Sequence, residues 1–130
     1  MTERPLIDPG QEKIMRLSDE TQFAANGIVS RTLLCTDNLR TVLFGFAKGQ
    51  ELSEHTSSMH ALVQVLSGEC EFSLSGKPHT LQAGDLLYMP PNLPHSLKAT
   101  RQFSMLLTLS KSAKTTATGA HKQATTAVEN

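Results

Sequence analysis

The stretch "ELSEHTSSMHALVQVLSG" (residues 51–68) sets two histidines, His55 and His60, just ahead of a run that alternates like a β-strand. A third, His95, follows in "MPPNLPHSL", thirty-five residues beyond His60 and behind a proline-rich turn. Imidazole nitrogen suits zinc, copper, iron and nickel, and catalytic metal sites commonly keep three protein ligands and an open position. Three neutral imidazoles on one cavity wall would leave such a position for water or substrate. Two alone would hold a metal weakly, or would form a proton-handling pair in an apolar pocket, where burial favours the neutral ring. Which case applies depends on the elements that carry the three rings.

From Gly27 onward the chain reads as short β segments separated by turn signals: "GIVSRTLLC", "RTVLFGFA", "HALVQVLSG", "ECEFSLSG", "HTLQAGD", "LLYMPP", "HSLKAT" and "QFSMLLTLS". Several short strands with Gly, Pro and Asn between them predict a β-sandwich or barrel. Val42, Phe44 and Phe46 alternate with Leu43, Gly45 and Ala47, so this strand is apolar on both faces and is expected at the centre of a sheet. No helix-period segment appears before residue 110. Residues 1–26 read as an arm, with "KIMRL" a short strand and "SDETQ" a turn cap or loop. After residue 110 the composition changes: "KSAKTTATGAHKQATTAVEN" draws half its residues from Ala and Thr and holds one large aliphatic, Val128. Such a segment buries too little apolar surface to offset the entropy of ordering it, so residues 111–130 are expected to form a flexible tail, with His121 outside any site.

Together, "GQELSEHTSSMHALVQVLSG" and "GDLLYMPPNLPHSL" resemble the two motifs of the cupin superfamily. The resemblance covers residues 27–110 and implies an all-β fold, a single jelly-roll β-barrel (double-stranded β-helix) closed around a cavity. In the first motif Gly49, His55 and Gly68 match, while Ser57 stands at the second histidine position and Ala61 at the glutamate position. In the second, Gly84, Pro90 and His95 match, and Asn92 replaces a glycine, a residue that accepts left-handed backbone angles better than most. Of the family's metal-ligand positions, His55 and His95 therefore carry over. His60 lies one residue ahead of Ala61. If the strand is regular, Ala61, Val63 and Val65 face one way and His60, Leu62 and Gln64 the other. A bulge in "TSSM" would turn His60 inward as a third ligand; without it, His60 is a pocket or interface residue. The expected site is His55, His60 and His95 around a divalent transition metal.

Three readings follow from different classes. One is a metal-dependent enzyme that oxygenates, isomerises or similarly transforms a small organic molecule. The second is a binding or sensing module that holds a small ligand without a stoichiometric metal, and the third a structural cupin that has lost its site. A formal net charge of zero leaves no electrostatic footprint for nucleic acid or an anionic membrane surface. No apolar run approaches a membrane span and no secretory signal opens the chain, so a cytoplasmic protein is expected. With two cysteines there is no disulfide framework, and Cys70, on the parity of Phe72 and Leu74, reads as a small buried hydrophobe. His79 reads as a half-exposed strand residue. Met59, Met105, Phe44, Phe46 and Leu107 are candidates to line the cavity, and Tyr88 to stand at its mouth.

Small barrels leave strand edges to be covered or paired, and the arm is suited to add a strand to a neighbouring subunit. The expected state is a homodimer, as is common in the family. A sedimentation mass near one chain at micromolar concentration would rule it out.

Overall fold

The computed structural model of the chain describes residues 4–112, and the tail beyond, His121 included, lies outside the described residues. Past a single helical turn, α1 (Leu17–Glu20), the described residues form nine strands. They are β1 (Ile28–Cys35), β2 (Leu39–Phe46), β3 (Glu51–His55), β4 (His60–Ser67), β5 (Glu69–Leu74), β6 (Lys77–Gln82), β7 (Leu86–Met89), β8 (His95–Lys98) and β9 (Phe103–Ser110). Antiparallel ladders order them into two sheets, β1-β2-β9-β4-β7 and β3-β8-β5-β6, in a jelly-roll arrangement. Each strand anticipated from Gly27 onward is present. β3 was not anticipated, because its residues are largely exposed and polar and show no apolar alternation.

The two sheets enclose one core. On β4 the buried residues are Ala61, Val63 and Val65, the inward set that alternation demands. Phe46 and Phe103, direct partners across β2 and β9, stack with ring centroids 4.6 Å apart and are fully buried. Such a pair contributes about 0.5–1.5 kcal/mol beyond the area it buries. β2 lies between β1 and β9, and both its faces are covered. Gly45, on its outward parity, packs against Gln22 and Phe23 of the arm. The apolar second face of this strand is thus explained by the arm lying over it.

The arm meets its own barrel. "KIMRL" forms no strand, and Ile14 is 98% exposed. The arm's backbone donors go elsewhere: Leu6 and Ile7 N–H groups donate to the carbonyls of Thr32 and Leu33 at 3.2 and 2.7 Å. These carbonyls flank the bulge of β1, between Thr32 and Leu34, so the arm satisfies part of that sheet edge. Arg31 on β1 adds an ion pair to Glu20 at 3.2 Å. Among the described residues the opposite edge, β7, pairs only with β4, and it presents Leu86 and Tyr88 outward.

Gly68 lies where the chain passes from β4 in one sheet to β5 in the other, at φ +79°. A Cβ there would overlap the Gln102 carbonyl and the Phe103 backbone, neither of which can swing away. Gly76, at φ +85°, has open space where its Cβ would be. We expect Gly76→Ala to cost about 1–2 kcal/mol, the left-handed penalty alone, and Gly68→Ala at least about 2 kcal/mol more, as read from urea midpoints.

Candidate functional site

The chain brings two of the three anticipated histidines together. His55 ends β3 and His95 begins β8, and they are direct cross-strand partners. Their ring centroids are 4.2 Å apart at an interplanar angle of 61°. Both rings line one cavity of about 150 Å³ inside the jelly roll. His95 is half-buried, while His55 is more exposed and stands at the mouth. Phe44, Leu52, Val63, Phe72, Leu97 and Leu107 form the apolar walls.

An irregularity in β3 makes this possible. Leu52 and His55 are three residues apart, so a regular strand would send them to opposite faces. The β3–β8 register shifts between them, and both side chains line the cavity. This is a bulge, one extra residue that re-aims a side chain. On β8 no such device is needed, because His95 and Leu97 share parity. The approach to His95 is set by the proline turn, in which Asn92 adopts φ 69° and donates its N–H to the Ser57 carbonyl at 2.7 Å. The left-handed geometry expected of Asn92 is observed, and it ties the second motif to the first.

Both rings are oriented in the same way. His55 Nδ1 is 2.8 Å from the Ser53 carbonyl oxygen, and His95 Nδ1 is 2.8 Å from that of Leu93. A carbonyl oxygen only accepts, so each Nδ1 carries the proton and each neutral ring keeps a free lone pair on Nε2. This is the arrangement by which metal-binding histidines are fixed in one tautomer.

His60 is not part of this pair. β4 is paired without irregularity from His60 to Val65 along β9 and from Ala61 to Gln64 along β7. The bulge that would have turned His60 inward is absent from this strand start; the one that shapes the site lies in β3. His60 therefore keeps the outward parity of Leu62 and Gln64, and its Nδ1 meets the Tyr88 hydroxyl at 2.8 Å. Tyr88, half-exposed on β7, belongs to this outer face rather than to the cavity mouth.

The other side chains fall into place around these. Phe44, Met105 and Leu107 line the cavity as anticipated, Phe46 packs deeper in the core, and Met59 is not among the lining residues. Met89 lines the cavity and was not anticipated, although the alternation Leu87–Met89 inward, Leu86–Tyr88 outward on β7 carried that information. Cys70 is fully buried, and its thiol is pushed up to about 12, first by burial and then by the charges of Glu69 and Asp85. That is no nucleophile near neutral pH. An unfolded thiol titrates near 9, so as pH rises from 9 toward 12 this group progressively lowers stability. His79 is exposed on β6.

Among the described residues, no group of three His, Cys, Asp or Glu stands together to hold a metal. Ala61 offers no donor, and Ser57, whose hydroxyl accepts the Met59 N–H at 3.1 Å, is not among the residues lining the cavity. What remains is an adjacent imidazole pair with both Nε2 lone pairs free, a donor set that fits a transition metal as two of its ligands and leaves its other positions open.

A family profile described as "Cupin domain" matches residues 42–109. A conserved protein of unknown function from Streptococcus pyogenes is 31% identical, with 88% of this chain and 98% of that one covered at a TM-score of 0.75. A cupin 2 conserved barrel domain protein from Leptotrichia buccalis is 36% identical over 75% of this chain and 47% of its own, TM-score 0.72. A cupin superfamily protein from Desulfitobacterium hafniense shares the fold at 24% identity, covering 86% and 100% of the two chains, TM-score 0.74. No curated protein sequence matches the chain.

The carbonyl contacts make a spectroscopic expectation. In nitrogen-15 spectra recorded at alkaline pH, where imidazoles are neutral, His55 and His95 should each show a protonated Nδ1 and a bare Nε2. A majority Nε2–H tautomer at either ring would contradict the geometry.

Proposed function

The chain belongs to the cupin family, and on that premise we propose that it is a small metal-dependent enzyme whose cavity holds the ion on His55 and His95 and a small organic molecule beside it. The observation that carries this reading is the pair of adjacent imidazoles, each fixed by a backbone carbonyl at Nδ1. A cavity of about 150 Å³ is the size that accepts a benzene-sized guest. Its walls favour a substrate with a compact apolar body. A bound metal would supply a Lewis acid with open coordination positions. The histidines would hold it, and the free rotation of each ring is already removed by its carbonyl. His55, at the mouth, would meet an entering molecule before His95.

A second reading is favoured by the loss of donors at Ser57 and Ala61: a cavity that binds a small molecule through the same two imidazoles without metal. Elemental analysis of untagged protein, purified without added metal, separates the two. The metal reading expects stoichiometric metal that His55→Ala or His95→Ala removes, with affinity lower by orders of magnitude, and that His60→Ala leaves in place. Protein that carries no metal, and takes up none from zinc, iron, copper, nickel or manganese, would overturn it in favour of the metal-free pocket.

A further inference from the structure

Two imidazoles are a thin hold on an ion, and the cavity contains further donors. Met89 on β7 and Met105 on β9 are each 3% exposed, and both line the cavity that His55 and His95 line. Met89 is the direct cross-strand partner of Ala61, the position at which the resemblance expects a carboxylate. Directly opposed residues share a face, so a thioether stands next to the place of the missing oxygen donor. Met105 is the partner of Val65, four residues and about 13 Å along β4 from Ala61, so it lies in the same wall but away from the level of Met89.

Resting on the reading of the cavity as a metal site, we propose that the ion is copper(I), bound by Nε2 of His55 and His95 and by the thioether sulfur of Met89, with a coordination position left open. Two physical features select it. Thioether sulfur is a soft ligand that favours copper(I) over zinc, manganese or iron(II). Charge selects in the same direction. Among the described residues, those lining the cavity include no carboxylate, ammonium or guanidinium, so every donor is neutral. A divalent ion there keeps its whole charge in an apolar surrounding. The cost of burying charge grows with its square, so a monovalent ion incurs about a quarter of that penalty. Methionine also fills cores for packing reasons alone, and replacement by leucine conserves its volume, which makes the two roles separable.

The test uses the untagged full chain under anaerobic conditions, with Cys35→Ser as background to remove the exposed thiol. Copper(I) affinity is measured by competition with bicinchoninate, and zinc affinity with a zinc chromophore. The expected result is one copper(I) per chain, bound far more tightly than zinc. Met89→Leu should lower the copper(I) affinity by about 10-fold or more while leaving zinc affinity and the melting temperature nearly unchanged, and Met105→Leu should leave both affinities in place. X-ray absorption of the copper-loaded protein should show sulfur in the first coordination sphere. Copper(I) binding that Met89→Leu does not weaken overturns the thioether ligand. Zinc, iron or manganese bound on the histidines in preference to copper(I) overturns this inference and leaves the metal reading standing. Absence of any metal binding overturns both.

Discussion

A β-strand offers its side chains to two faces in strict alternation, and the contents of this cavity follow from where that alternation is kept and where it is broken. In β4 it is kept from the first residue, so Ala61, Val63 and Val65 face the core and His60 is committed to the surface. In β3 it is broken between Leu52 and His55, and only that shift lets a leucine and a histidine three residues apart share one cavity. Had the irregularity fallen in β4 instead, His60 would be inside and His55 out. The site is thus decided by the placement of a single extra residue, more than by the number of histidines in the sequence.

The same bulge supplies the carbonyl of Ser53 that fixes the His55 ring, so one local distortion both aims the imidazole and sets its tautomer. On the other side the proline turn does the equivalent work for His95 through the Leu93 carbonyl. Asn92, in a left-handed conformation, joins that turn to the Ser57 carbonyl, so the segments before β4 and before β8 are held together by a backbone hydrogen bond. Around this polar pair the walls are apolar. An uncharged cavity strengthens whatever interaction the two imidazoles make, because little dielectric screening intervenes.

Much of this was legible in the residues themselves. A β-sandwich or barrel followed from short alternating runs punctuated by Gly, Pro and Asn, while the jelly roll and the choice of His55 and His95 came from the resemblance of the two motifs. The outward parity of His60 was also written in "HALVQVL", since Ala61, Val63 and Val65 make the better interior face. What the residues did not disclose was the location of the bulge, because "ELSEH" is polar and exposed and has no apolar pattern to betray a register shift. The course of the arm was hidden for a related reason. Leu6 and Ile7 engage β1 through backbone hydrogen bonds, which leave no side-chain signature. Met89 was overlooked because a methionine near a strand end reads as ordinary packing.

The five-stranded sheet has two ends of different character. At β1 the arm already occupies carbonyls that a further strand would need, while at β7, among the described residues, no strand pairs with the outer side. For edge-to-edge addition this sheet is therefore univalent. Two copies meeting at β7 would each contribute their one reactive edge and leave none, so growth along that direction terminates at a pair. Loss of the arm's first residues would change the valence to two, and a sheet with two open edges has no geometric reason to stop.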